Sequence, residues 1–239
     1  MSEWGGLMCG RVNIIDAPLY TFFARFLNLP LPIETALNIG PTERVWALKQ
    51  RDEVFEALPL RWWLVPSWSN GPQSKFSMFN ARAETLQSSK AYAGPFKRQR
   101  CAIPVASYLE WRGPKKERQP FSIEREDGEA LVLGGLWDSW EGHDGLIQSC
   151  TIVTTAAPSA LAPFHHRAPL MLNGDALLTW LDGSSQAREL EGLLEPSVPF
   201  SLRIQDVDPA VNQVRRKDPA AQQTIGPATV IAADVSADN

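Results

Sequence analysis

The sequence predicts an α+β domain in which most of the strands are antiparallel. Runs of apolar and β-branched residues, bounded by turn residues, recur at 121–125, 131–137 and 147–155, as expected for an antiparallel meander. Helical spacing of apolar residues is confined to short segments. No internal repeat or sharp break in composition divides the 239 residues, so we expect one domain, over residues 8–218.

The first hundred residues predict strands around an amphipathic helix. Asp16 and Pro18 open this helix, which runs to Asn28 and has one apolar face formed by Leu19, Phe22, Phe23, Phe26 and Leu27. A loop is expected at residues 38–42 and a second helix at residues 84–92. Strands are predicted at 12–15, 45–49, 54–62 and 101–104.

The second half of the chain predicts the rest of the sheet and two more helices. Residues 112–120 are basic and rich in turn residues, which indicates a solvated hairpin loop. Helices are expected at 175–181 and 186–194. Periodicity is lost from residue 219, so residues 219–239 are expected to form a flexible tail.

Cysteine usage and hydropathy exclude several classes of protein. The three cysteines are far apart and odd in number, which argues against a disulfide framework and favours the cytoplasm. Cys101 and Cys150 lie in predicted strands and are expected to be inert core residues. No Cys-x-x-Cys or His-x-x-x-His spacing occurs, so we expect no metal and no cofactor. No run approaches the roughly 20 apolar residues of a membrane helix, and no secretory signal opens the chain.

The charge of the chain is distributed unevenly. Residues 1–119 contain 16 Lys/Arg and 10 Asp/Glu, a net charge of +6, whereas residues 120–239 contain 7 and 17, a net charge of −10. Binding of a polyanion depends on the local patch and not on the total of −4. The first half is therefore compatible with nucleic acid, although such asymmetry also occurs in proteins that do not bind it.

The segment Met8-Cys9-Gly10-Arg11 carries the most reactive candidate group. If synthesis begins at Met8, or residues 1–7 are removed together with Met8, Cys9 becomes the first residue. An N-terminal cysteine has a thiol and an α-amine on adjacent carbons, with reference pKa values of about 8.5 and about 8. Such a pair captures an aldehyde, because the amine forms an imine and the sulfur then closes a five-membered ring.

Two further segments combine aromatic or titratable side chains with arginine. In the segment at 61–68, Trp62 and Trp63 are expected in the core, whereas Trp68 follows Pro-Ser and is a candidate to stack on unpaired bases. In His165-His166-Arg167, a histidine can move protons near pH 7 and Arg167 can bind a phosphate bidentately.

Glu110 lies between Leu109 and Trp111, and two interpretations are open. An apolar setting would raise its pKa, as a general acid requires. On an edge strand the same residue would be an ordinary surface glutamate.

Taken in order, these segments resemble the SRAP family, the SOS response-associated peptidase proteins that are also called abasic site processing proteins. The resemblance covers residues 8–215. It is carried by the segments 8–11, 38–42, 61–68, 80–84, 100–104 with 109–111, 135–137 and 165–169. It implies a curved, largely antiparallel, barrel-like sheet with flanking helices. It also implies binding to single-stranded DNA and a covalent thiazolidine between the N-terminal cysteine and the aldehyde of an abasic site.

The resemblance assigns roles to particular residues. Cys9 matches the nucleophile and Asn80 the residue that orients it, while Glu110 and His165 match the acid–base groups. Thr155 matches an active-site threonine, with Thr154 as an alternative because the spacing is uncertain by one. The residues that match DNA-binding groups are Arg11, Pro41, Trp68, Arg82 and Arg167.

The seven residues before Met8 depart from the family pattern, because with them attached Cys9 has an amide nitrogen and cannot close the ring. Two alternatives therefore stay open: a cysteine peptidase or amidase that uses Cys9, His165 and Asn80, or a non-covalent single-strand binder. The hypothesis of a covalent abasic-site crosslink includes autoproteolytic and lyase activities of the same protein. We expect a monomer without membrane contact, acting on DNA at the nucleoid, with the replication machinery as a further partner.

Overall fold

The structure is a computed structural model that describes residues 10–28, 30–72, 76–114, 117–143 and 145–234. The strands are β1 Arg11–Ile14, β2 Ala36–Ile39, β3 Arg44–Arg51, β4 Val54–Trp62, β5 Asn80–Arg82, β6 Arg100–Val105, β7 Ser107–Arg112, β8 Gln119–Arg125, β9 Leu131–Gly142, β10 Gly145–Ala156, β11 Arg167–Pro169, β12 Leu202–Val207 and β13 Thr224–Ile231. The α-helices are α1 Asp16–Ala24, α2 Ala93–Arg98, α3 Gly174–Leu181 and α4 Ala187–Leu193, and 3₁₀ turns lie at Ala83–Thr85, Pro209–Asn212 and Pro219–Gln222.

Five strands close into a barrel in the order β10-β4-β3-β6-β9, because β9 also pairs with β10. All neighbours in this ring are antiparallel except β4 and β10. Closure leaves no edge strand within the ring. Large apolar side chains fill the core, with Trp62, Trp180 and Leu48 fully buried. The predicted α+β fold with a barrel-like, largely antiparallel core is confirmed.

The end of β10 extends past the ring and gains new neighbours. β4 pairs with β10 only at Cys150 and Ser149, and β5 then pairs in parallel with residues 152–154. On the other side, β11 pairs with residues 154–156. Three short segments that are distant in sequence therefore meet at one place.

A second sheet packs beside the barrel, with the order β13-β12-β8-β7-β1-β2 and antiparallel pairing throughout. The first described strand, β1, is an interior strand of this sheet, between β2 and β7. The predicted meander is wrong in one respect. The strand at 119–125 belongs to this sheet, whereas the strands at 131–142 and 145–156 form a hairpin in the barrel.

The predicted helix at 84–92 is wrong, because the chain forms a 3₁₀ turn and further turns there and becomes helical only at Ala93. Hydroxyl groups compete for the backbone in this segment: Thr85 Oγ1 donates to the carbonyl of Arg82 and Ser88 Oγ to that of Thr85. The first helix is also shorter than predicted, ending at Ala24, although Leu19, Phe22 and Phe23 are buried as expected.

The predicted flexible tail is wrong over residues 219–231. Asp218 caps a 3₁₀ turn at Pro219–Gln222, and β13 then pairs with β12. Most side chains of β13 are exposed, so main-chain hydrogen bonds hold the strand and apolar alternation does not mark it. Residues 235–239 lie outside the described residues.

None of the helices in the described part of the chain is long and apolar enough to span a bilayer. Within the same ranges, no group of three or more His, Cys, Asp or Glu side chains is placed to bind a metal ion.

Candidate functional site

Strand register places several of the predicted site residues on one face at the end of β10. Asn80 is the partner of Ile152 and Arg82 that of Thr154, while Arg167 pairs with Ala156. Cross-strand partners point to the same side, and so do alternate residues of one strand. Asn80, Arg82, Thr154 and Arg167 therefore share a face, and Thr155, the partner of Ala168, lies on the opposite face.

Arg167 forms several contacts at this face. One guanidinium nitrogen donates to the carbonyl oxygen of Thr154 at 2.6 Å and to Glu84 Oε2 at 2.9 Å. The other nitrogen pairs with Glu84 Oε1. The hydrogen bond from Arg167 is the largest influence on Glu84 and lowers its pKa. A phosphate that binds Arg167 must compete with this carboxylate, which the sequence did not reveal as a partner.

His165 is partly buried next to Arg167. Its Nδ1 lies 3.2 Å from the backbone nitrogen of Arg167 and 3.1 Å from the backbone oxygen, so the tautomer decides which contact is a hydrogen bond. Burial is the main cause that lowers the pKa of His165, and charge interactions with His166, Arg118 and Arg167 lower it further, against an opposing backbone hydrogen bond. The neutral imidazole is thus favoured and can accept a proton.

Glu110 is buried, with 2% of its surface exposed, on an interior strand between β8 and β1. The interpretation as a surface glutamate on an edge strand is wrong. Its cross-strand partner is Phe121, whose ring packs against Phe164 at a centroid distance of 6.0 Å. Phe164 directly precedes His165, so this aromatic contact joins the face that carries Glu110 to the histidine loop.

The first described residues enter the sheet next to Glu110. Arg11 pairs with Leu109, and its Nη1 donates to the carbonyl of Gly10 at 2.9 Å. Burial lowers the pKa of Arg11, and the charge of Glu43 opposes that shift. Cys9 and the extension at 1–7 lie outside the described residues, so the role of Cys9 stays a prediction.

The loop that carries Pro41 is held from beneath by Asn38. Asn38 is fully buried and has a φ of +53°. Its side-chain nitrogen, Nδ2, donates to the backbone carbonyls of Val211, Gln213 and Arg216 at 3.0–3.1 Å. The half-buried Pro41 therefore lies on a fixed loop.

Trp68 is exposed, as predicted, with 53% of its surface accessible. The ammonium group of Lys90 lies 4.2 Å from its ring centroid, close enough for a cation–π contact. Trp62 is fully buried and Trp63 packs against the core, which confirms the expected division among the three tryptophans. Lys90 was not identified from the sequence, because only the fold brings it to Trp68.

The two cysteines that the structure describes are not part of this site. Cys101 and Cys150 are fully buried and free, and burial raises the pKa of both thiols. Their expected placement in the core is confirmed.

Fold and site together define a class: an α+β barrel protein that gathers Arg82, Arg167 and His165 at the end of β10, with a buried Glu110 in the second sheet and an exposed Trp68. The chain belongs to the SRAP family, because the sequence model of SOS response associated peptidase (SRAP) matches residues 8–214. Among curated relatives, it is 28% identical over 216 residues to abasic site processing protein YoaM of Bacillus subtilis, covering 86% of this chain and 93% of the relative. It is 30% identical over 188 residues to abasic site processing protein HMCES of Gallus gallus, covering 68% and 55%.

Solved structures agree on the fold. A crystal structure of a protein from Bacteroides thetaiotaomicron superposes with a TM-score of 0.73 at 21% identity, covering 90% of this chain and 99% of that one.

Proposed function

We propose that this protein recognises abasic sites in single-stranded DNA and forms a thiazolidine with the lesion through Cys9. The names of its relatives, abasic site processing proteins, favour this substrate. The observation that carries the proposal is that the barrel sheet and the second sheet each contribute residues of the proposed site. The end of β10 gathers Asn80, Arg82 and Arg167 beside His165, and the chain enters β1 next to the buried Glu110.

Covalent geometry favours Cys9 as the nucleophile. Arg11 pairs with Leu109, so continuing the antiparallel register by one residue puts Gly10 opposite Glu110. The Cα atoms of bonded residues are about 3.8 Å apart, which limits how far Cys9 can lie from Gly10. The reacting carbon of a bound sugar would then lie within reach of Glu110.

The proposed reaction begins with opening of the abasic sugar, which is mostly a closed hemiacetal. The C1′–O4′ bond breaks as Glu110 or His165 transfers a proton to O4′, and the C1′ hydroxyl loses its proton to the other of these two groups or to water, so that C1′ becomes an aldehyde. Assistance of this kind typically contributes about 10²–10⁴-fold. The amine of Cys9 attacks C1′ and water leaves, giving an imine. The thiol then adds across the C=N bond, its proton goes to nitrogen, and the ring is closed without an oxidant or reductant.

The face at the end of β10 fits the remaining roles. Arg82 is exposed and Arg167 lies beside it, as required for contacts to the flanking phosphates. Thr154 shares their face and contacts Arg167, with Oγ1 3.4 Å from the nearer guanidinium nitrogen. We therefore favour Thr154 over Thr155 as the active-site threonine. Pro41 and Trp68 would pack against bases on either side of the lesion.

Removal of residues 1–8 is a condition of this chemistry. An acylated Cys9 nitrogen cannot form the imine, so we propose that the mature protein starts at Cys9. Self-processing at this position would be the peptidase activity that the family description names. Measuring the intact mass of the purified protein reports directly whether Cys9 is terminal.

The decisive experiment mixes mature protein with a single strand that carries one abasic site. A heat-stable adduct on a denaturing gel is expected for the wild type and not for Cys9→Ala. Cys101→Ala is the matched control, because it removes a buried thiol and should leave the adduct unchanged. An adduct that persists in Cys9→Ala would refute the assignment.

The amine distinguishes the proposal from the peptidase alternative. A peptidase that uses Cys9, His165 and Asn80 tolerates an acylated Cys9 nitrogen, whereas ring formation does not. A non-covalent binder would hold intact and abasic strands with equal affinity.

We further propose that the protein works as a monomer in the cytoplasm, at the nucleoid, where the replication machinery exposes single strands. A lyase side reaction at the same lesion is part of this proposal.

A further inference from the structure

Two arginines outside the site described above lie side by side on the barrel. Arg44 of β3 and Arg61 of β4 are direct cross-strand partners, so their side chains project from the same face. Partners of this kind have Cβ atoms about 4.5–5.5 Å apart, and like charges at that separation destabilise a sheet. An anion that lies between the two guanidinium groups would remove this repulsion.

No residue in the described part of the chain supplies that anion. Across the described ranges, neither guanidinium forms an ion pair or a side-chain hydrogen bond, and Nε of Arg61 is buried without an acceptor. The neighbouring carboxylate of Glu43 is occupied, because it accepts from the backbone of Gly40 and from Lys217 Nζ, both at 2.7 Å. The two positive charges are therefore available to an external ligand.

The arginines line a cleft of about 250 Å³ that is continuous with the Pro41 loop. Thr42 forms part of its wall, and the backbone nitrogen of Thr42 donates to the carbonyl of Trp62 at 2.9 Å. This bond fixes the loop to the end of β4, next to Arg61. A strand whose base packs on Pro41 would pass the mouth of this cleft.

We infer that the cleft binds a phosphodiester of the DNA strand, one or two nucleotides beyond the lesion. This inference rests on the proposed function for the path of the strand. Paired guanidinium groups match the geometry of a phosphate, since each can donate two parallel N–H bonds. The cleft would contact the phosphate and neither a base nor the lesion, so it adds affinity for intact and abasic strands equally.

The test compares the Arg44→Gln/Arg61→Gln variant with a control that has the same change in charge, Arg51→Gln/Arg188→Gln. Arg51 lies seven residues along β3 from Arg44, about 23 Å away at 3.3 Å per residue. Binding of a fluorescein-labelled, intact 15-nucleotide thymidine strand is followed by anisotropy between 50 and 200 mM KCl. We expect about tenfold weaker binding for the cleft variant at low salt, and a smaller slope of log Kd against log salt by about 0.7 for each phosphate lost.

A control variant that binds like the wild type, together with weaker binding of the cleft variant, supports the inference. Equal affinity and equal slope in the two variants overturn it. The cleft variant should melt no earlier than the wild type, because the substitutions relieve repulsion, so misfolding is recognised separately.

The intact strand makes this assay independent of Cys9. A wild type that binds the strand but forms no abasic adduct would overturn the proposed function and leave the cleft inference to be decided by the two variants. A wild type that binds no single strand would overturn both. At saturating abasic DNA the cleft variant should reach the same adduct yield as the wild type.

Discussion

Under the proposed function, Glu84 competes with a DNA phosphate for the guanidinium group of Arg167. Both carboxylate oxygens pair with the guanidinium, yet half of the Glu84 side chain is exposed, so the ion pair contributes little to stability. For Glu84→Gln we expect two- to fivefold tighter binding of single-stranded DNA, less than about 1 kcal/mol. The slope of log Kd against log salt should steepen by up to about 0.7.

Glu129→Gln is the control for this prediction, because it removes the same charge from another exposed ion pair, with Arg25 at 2.8 Å. Anisotropy measurements over a salt series compare the two variants. Weaker binding by Glu84→Gln would mean that the carboxylate orients Arg167 for DNA instead of competing for it.

The shifted pKa of His165 makes stability depend on pH. Burial lowers this pKa in the folded state, so the unfolded chain, with a histidine pKa of about 6.5, takes up a proton at higher pH than the fold does. Protonation therefore favours unfolding, and stability falls as the pH drops below about 6.5 through the lowered pKa. Above that range His165 is neutral in both states and contributes no pH dependence.

An NMR titration of the three histidines tests this shift. We expect the imidazole signal that disappears in His165→Gln to titrate below 6.5. The same variant should show a urea midpoint that changes less between pH 6.5 and 5 than that of the wild type. A signal that titrates at or above 6.5 contradicts the prediction.

At the scale of elements, the Pro41 loop depends on one buried amide. Asn38→Gly keeps the positive φ without strain, so its effect reports the three lost hydrogen bonds to backbone carbonyls. We expect a loss of about 2 kcal/mol in the free energy of unfolding, measured by urea denaturation, since buried acceptors are left unsatisfied.

Asp52→Gly is the matched substitution, because Asp52 also has a positive φ, of +48°, but its side chain is 93% exposed. Its effect should stay within about 0.5 kcal/mol. Equal effects of the two substitutions would show that Asn38 acts through backbone conformation alone.

The elements that the sequence predicted correctly are those with internal apolar patterns. β3, β4 and α3 were found close to their observed bounds, because alternating or helical apolar residues mark them. β5 and β11 are three residues each and carry no period, and only pairing with β10 makes them strands. Their side chains were found through motif resemblance, whereas Glu84 and Lys90 were missed because their partners are distant in sequence.

At the scale of the whole molecule, the 3₁₀ turn at Pro219–Gln222 is hydrogen-bonded to β1. Gln222 Oε1 accepts from Asn13 Nδ2 at 2.9 Å, and Asn13 Oδ1 accepts from the backbone of Asn38 at 2.8 Å. The segment predicted as a tail thus supports the first strand and the Pro41 loop. Sequence periodicity cannot show this connection, because a polar side chain and not an apolar face makes it.

A truncation tests this connection. A chain that ends at Asp218 loses β13 and the acceptor Gln222 Oε1, which exposes the edge of β12 and leaves Ser107 Oγ, at 3.0 Å, as the acceptor of the buried Asn13 Nδ2. We expect a loss of at least about 2 kcal/mol, which lowers the melting temperature by about 4–8 °C in a domain of this size. Calorimetry measures this directly, and binding to single-stranded DNA should weaken as the Pro41 loop loosens.

A chain that ends at Asp234 is the control, because it keeps β13 and the contact of Asp234 with Val198. Its melting temperature should match that of the full chain.

Gln222→Ala keeps the prediction testable if the shorter truncation does not fold. This variant removes only the bond to Asn13 and should lower stability by about 1–2 kcal/mol. Because Gln222 holds Asn13, and Asn13 in turn holds the backbone of Asn38, Gln222→Ala should also weaken DNA binding. Unchanged stability together with unchanged binding would show that the turn at Pro219–Gln222 does not support the Pro41 loop.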